Sequence, residues 1–183
     1  MDYLWTLSAV SLAASAVGWI YFIYFFSIGY GLAIAAIATA TAIIFTDTLT
    51  PPTTIFCATL FIYGIRLATY LFLRERKSAT YKKILYQPSI TQRKPLPAMF
   101  AIWISCALLY IGQTSPCTFY LHNLETRAET SEAWAWTGAI VAFIGFATET
   151  IADTQKSTAK RNNPQQFVNT GLYRIVRCVM LGW

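Results

Sequence analysis

Between Thr53 and Leu73 the sequence runs "TTIFCATLFIYGIRLATYLFL", with Arg66 as its only charged residue. Crossing a hydrocarbon core takes about 20 mostly apolar residues as a helix, and this window meets that demand. Four others do too: Tyr3 to Phe26, Ile28 to Thr46, Pro97 to Thr118 and Trp134 to Ile151. In lipid an extended chain leaves its backbone groups unsatisfied, so each window is expected to be helical. The chain is 56% hydrophobic and 12% charged over 183 residues, which leaves too little polar surface for a soluble domain of this size. The expected fold is therefore all-α. It is a polytopic membrane helix bundle with about five transmembrane helices within 3–151, in a single membrane domain 1–183. A cytoplasmic C-terminal segment, 152–183, completes it.

The first two windows are separated by "SIGY", which predicts a tight helical hairpin with Gly29 and Gly31 at its bend. Met1-Asp2 carries no basic residue ahead of a long apolar run, so the first window is expected to be a retained helix and not a cleaved signal. The second is rich in alanine, and small residues let neighbouring helices approach closely.

Charge sets the expected orientation. Arg74, Arg76, Lys77, Lys82, Lys83, Arg93 and Lys94 follow the third window, and Lys156, Lys160, Arg161, Arg174 and Arg177 follow the fifth. Two spans separate these groups, so they share a side, and the positive-inside rule makes it cytoplasmic. The net charge of +6 then reports membrane topology. Basic residues placed at span ends argue against a nucleic-acid partner and for membrane lipid.

Cys57, Cys106, Cys117 and Cys178 show no CxxC spacing, so buried free thiols are expected. His122 is the only histidine and is expected in a solvated loop, with no nucleophile arranged beside it. "GYG" follows no strand and completes no dinucleotide fingerprint.

Two polar stripes cut the apolar windows. Tyr63, Arg66, Tyr70, Arg74 and Lys77 fall at steps of three or four, hence on one helical face. Arg66 lies roughly 12 Å deeper than Arg74, too deep to snorkel, so its guanidinium should point into the bundle. It either binds a carboxylate or carbonyls of another helix or faces a ligand. In "FATETIADTQKSTAKR", Glu149 and Asp153 stand one turn apart, and two such carboxylates repel unless a cation or hydrogen-bond donors come between them. A local pair of Asp153 with Lys156 is the simpler alternative. Pro164 ends the helix, and Gly171 permits a turn in the segment Phe167 to Arg177, where Asn169, Arg174 and Arg177 offer donors to an anion.

Taken together, "ETIADTQK", "FVNTGLYRIVR" and "YGIRLATYLFLRER" resemble the steroid 5-alpha-reductase-like membrane reductases, particularly the DUF1295 branch, from about Thr53 to Arg177. The resemblance implies a helical membrane enzyme that uses NADPH to reduce an activated carbon–carbon double bond in a small hydrophobic substrate such as a sterol, enone or related lipid. It implies Glu149, Asp153 and Gln155 as cofactor contacts. Arg66, Arg74 and Arg177 suit phosphate by their bidentate chemistry.

In the family, the arginine matching Arg177 is followed by His-Pro-Asn-Tyr, a variable residue and Gly-Glu, whereas here "CVMLGW" follows. That departure leads to the expectation of a chain truncated or altered in frame after Arg177. "KSATYKK" likewise lacks the acidic-Arg-Tyr character of the branch, so the resemblance supplies no proton donor. Tyr63, Tyr70 and Tyr81 are candidates by chemistry alone. Two alternatives stand beside the reductase: an isoprenylcysteine methyltransferase-like enzyme using S-adenosylmethionine, and a noncatalytic membrane fragment. The expected location is endoplasmic reticulum in a eukaryote or inner membrane in a bacterium.

Overall fold

Apolar windows that satisfy their backbone internally become helices, and the computed structural model is all helical among the residues it describes: 2–20, 22–77, 95–126, 130–162 and 171. Its α-helices are α1 (Asp2–Ser15), α2 (Ile28–Ile44), α3 (Pro51–Lys77), α4 (Leu96–Glu125) and α5 (Glu132–Asn162). Three of the five expected spans form helices long and apolar enough to cross a membrane: Pro51–Leu73, Leu96–Glu125 and Glu132–Ala159. The first two windows give shorter apolar helices, Tyr3–Trp19 and Ile28–Ile44. Large apolar side chains on α4, including Phe100, Ile104, Leu108 and Leu109, face outward, Leu109 being 65% exposed. Such a surface is favourable against lipid and costly against water, which fits a membrane protein.

The corner between the first two windows differs from the expected one. The α-helix ends at Ser15, and 3-10 turns at Ala16–Trp19 and Phe22–Phe25 carry the chain round, so the bend precedes "SIGY". The cause is packing. The Phe25 ring lies where a side chain at Gly18 would be, and the Tyr110 hydroxyl of α4 donates to the Phe25 carbonyl. Gly29 and Gly31 lie inside α2, both buried.

Gly31 instead serves a helix crossing. A Cβ there would stand 2.7 Å from the Gly64 carbonyl oxygen and 2.9 Å from the Ala68 nitrogen of α3. Reciprocally, a Cβ on Gly64 would collide with the Gly31 carbonyl and stand 2.8 Å from the Ala35 nitrogen. Gly31 and Ala35 face Gly64 and Ala68, each pair four residues apart, so the two backbones touch along matched small-residue seams. The core beside this crossing gathers Leu7, Phe25, Ala33, Ile34, Ile37, Cys106 and Tyr110.

Hydroxyl groups in these helices are mostly satisfied by their own backbone. Ser8, Thr39, Thr59, Thr137, Thr148 and Thr150 each donate to the carbonyl four residues earlier. At the start of α3, Pro51 fits the first-turn position, and the Thr53 hydroxyl accepts from the Thr50 N–H at 3.0 Å, as in a capping box. A few polar groups reach between helices. Ser11 donates to the Ala107 carbonyl at 3.1 Å, and the Trp103 indole donates to the Leu12 carbonyl and to the Ser15 hydroxyl.

Tyr110→Phe removes one such tie and should cost about 1 kcal/mol, the net worth of a hydrogen bond. Thermal unfolding in detergent should show a loss of roughly 2–4 °C. An unchanged midpoint would mean that the Tyr110 hydroxyl does not hold the corner.

The chain divides into two compact units, Met1–Ala139 and Ile140–Trp183.

Candidate functional site

In the first unit the candidate face belongs to α3. Gly64 and Ala68 are turned toward α2, and at about 100° per residue Arg66 between them points to the other side. Tyr63, Arg66 and Tyr70 are half-buried, and the Nη1 nitrogen of Arg66 is removed from solvent. One turn before Arg66, the Tyr63 ring meets Tyr30 of α2 edge-on, with centroids 6.4 Å apart. Tyr30 in turn lies 5.2 Å from the ring of Tyr110 and donates its hydroxyl to Gln113 Oε1 at 3.0 Å. Tyrosines from three helices thus converge with an amide, Tyr63 standing one turn before Arg66.

Sequence reasoning singled out Tyr63 and Arg66 and missed Tyr30, Tyr110 and Gln113. The available signal was Gln113, the lone amide of the fourth window. Farther along α3, the Arg76 guanidinium stacks over the Phe72 ring at 4.6 Å and is exposed. The side chains of Arg74 and Lys77 lie outside the described residues, as do Tyr81, Asn169, Arg174 and Arg177.

In the second unit, Glu149, Asp153 and Gln155 of α5 are all half-buried, whereas Thr148, Ile151, Thr154 and Lys156 are exposed. Glu149 and Asp153 stand one turn apart on the sheltered side. The neighbouring hydroxyls of Thr150 and Thr154 donate to backbone carbonyls at 2.7 and 2.8 Å.

Gln155 has a different setting. Gly171 adopts φ 65, a left-handed conformation that strongly favours glycine, and the Gln155 amide lies against its backbone. A Cβ at 171 would overlap Oε1 and come within 2.6 Å of Cδ. The sequence assigned Gln155 to the cofactor and Gly171 to a turn. The structure places the two side by side.

His122 is in α4 and not in a loop: its ring packs 4.9 Å from Tyr3, and Nδ1 lies 3.6 Å from Glu125 Oε2. These are the contacts of a helix end, with an aromatic neighbour on α1. Among the described residues no group of three or more His, Cys, Asp or Glu side chains is placed to hold a metal ion.

Chemically, two half-buried carboxylates one turn apart form an acceptor pair for hydroxyl donors, and a ribose fits that description. A guanidinium suits phosphate. The sequence model of a family described as "Protein of unknown function (DUF1295)" matches residues 4–178. No curated protein and no solved structure matches the chain.

Proposed function

Since the chain belongs to the DUF1295 family, we propose that it is a multi-pass membrane reductase that uses NADPH on an activated carbon–carbon double bond of a sterol, enone or related lipid. The observation that carries this reading is the contact of Gln155 with Gly171. Gln155 belongs to "ETIADTQK" and Gly171 to "FVNTGLYR", the two stretches on which the likeness to steroid 5-alpha-reductase-like enzymes is strongest.

Bound NADPH would supply a hydride. Glu149 and Asp153 accept hydrogen bonds from ribose hydroxyls, and the bonds are strengthened by the charge on the acceptor. Gln155 lies against Gly171. Arg66, Arg74 and Arg177 are the cations suited by charge to phosphate. Apolar helices exclude water from the reacting groups and admit a hydrophobic substrate from the lipid. On this reading the five apolar windows all cross the membrane, the basic connection after α3 and the residues after α5 face the cytoplasm, and the amino terminus faces the other side.

The test is cofactor binding by the purified protein in detergent micelles, with NADPH and S-adenosylmethionine titrated in parallel. Saturable NADPH binding is expected, and Asp153→Ala should weaken it about tenfold or more, as befits loss of a hydrogen bond to a charged group. Tighter binding of S-adenosylmethionine would replace the reductase by a methyltransferase. Absence of binding by either cofactor would remove the enzymatic reading.

A further inference from the structure

Cys57 of α3 and Cys117 of α4 are remote in sequence, yet they lie in the same buried cluster. Both are buried, and they pack with Phe45 and Leu121 in a cluster separate from the main core. Each thiol also borders an apolar hollow. Cys117 lines a cavity of about 300 Å³ together with Phe56, Pro116, Tyr120 and Trp134. Cys57 lines another of about 330 Å³, with Ala42, Leu49 and Phe61. A small apolar reagent can therefore approach the sulfur pair from two directions, although a charged one is excluded.

The third described cysteine provides a contrast within the same chain. Cys106 is as buried as the others, but it packs with the hydroxyl-bearing Tyr110, and among the described residues no second thiol shares its cluster.

We propose that Cys57 and Cys117 are a modification site, a dithiol that an apolar disulfide converts into a covalent link between α3 and α4. The exchange is balanced without any further reactant. One cysteine, as its thiolate, attacks a sulfur of the reagent disulfide and displaces one reagent thiol. The other cysteine loses its proton, attacks the mixed disulfide and displaces the second reagent thiol. Two S–H bonds and one S–S bond of the reactants become one S–S bond in the protein and two S–H bonds on the released thiols, and the reagent is the species reduced. Because the two side chains share one cluster, rotation about their Cα–Cβ bonds is the movement that brings the sulfurs to bonding distance. The link closes the chain between residues 57 and 117 and so restrains the spacing of α3 and α4, whose mutual packing is much slighter than that of α2 with α3.

The experiment treats the full chain in its native membrane with dipyridyl disulfide, alkylates the remaining thiols and maps peptides by mass spectrometry without reduction. The expected product is a cross-linked pair containing Cys57 and Cys117, with two pyridinethiones released for each link and Cys106 recovered unlinked. Reduction with dithiothreitol should return both thiols. In Cys57→Ala, Cys117 should be recovered as a stable pyridyl mixed disulfide or as the alkylated thiol. Recovery of Cys57 and Cys117 on separate peptides in the unmodified chain, whether alkylated or capped by pyridine, would overturn the proposal. So would an equal yield of links through Cys106.

Discussion

Gly64→Leu is expected to abolish the folded protein: in detergent it should elute as aggregate, with no cooperative thermal transition. The position has no room to yield, because a Cβ on residue 64 meets the backbone of α2 at Gly31 and Ala35, and neither can move without shifting the whole helix. Overpacking a core ordinarily costs about 1–3 kcal/mol through side-chain adjustment. Here the helices themselves must separate, which also forfeits the dispersion contacts along the seam, so the cost belongs above that range. Measured against a total stability of about 5–15 kcal/mol, and with Ala33, Ile34 and Ile37 of the core on the displaced helix, the loss is disabling. The control is Gly145→Ala. No atom lies within 4 Å of a Cβ built there, and the residue is inside α5, so relief of the glycine penalty should stabilise by up to about 1 kcal/mol. Comparable melting points for Gly64→Leu and the native chain would mean that the two backbones do not touch.

Gly171→Ala should separate binding from folding. Alanine at φ 65 costs about 1–2 kcal/mol in backbone strain alone, and its methyl group also displaces the Gln155 amide. Both effects are confined to the unit that begins at Ile140, so the melting transition of the first unit should stay in place. On the proposed reductase reading, NADPH affinity should fall by about tenfold or more, since the strain must be overcome in the binding-competent form. Gln155→Ala removes the clash but not the strain. In the double variant the two losses should therefore be less than additive, a coupling that independent sites would not show. Full affinity in Gly171→Ala would dissociate the Gly171 turn from cofactor binding altogether.

How much of this was legible in the sequence depended on whether the determinant was local. Helical class and the long spans at α3, α4 and α5 follow from runs of apolar residues, which any reader of "TTIFCATLFIYG" meets directly. The close approach of α2 was foreshadowed by its alanines, and the turn at Gly171 by the glycine itself. The corner after α1 was not legible. "SIGY" and "AVGW" offer similar local invitations to bend, and the choice is made by the Phe25 ring and by Tyr110, a residue far along the chain. The same holds for Tyr30 with Gln113 and for Cys57 with Cys117, which acquire their partners only through the crossing of helices. For the candidate site, the carboxylates at 149 and 153 were visible as charges in a membrane window. The placement of Gln155 against Gly171 required the fold.

The hydroxyls of Thr59, Thr137 and Thr148, each spent on its own helix, also bear on biogenesis. A newly synthesised segment whose polar protons are already matched can leave the translocation channel sideways into lipid before its neighbours exist. Ser11, Trp103 and Tyr110 find their acceptors only on other rods, so their demand arises afterwards, when the first and fourth segments meet. Local bonds thus serve each segment alone, whereas those of Ser11, Trp103 and Tyr110 depend on which segment lies beside which.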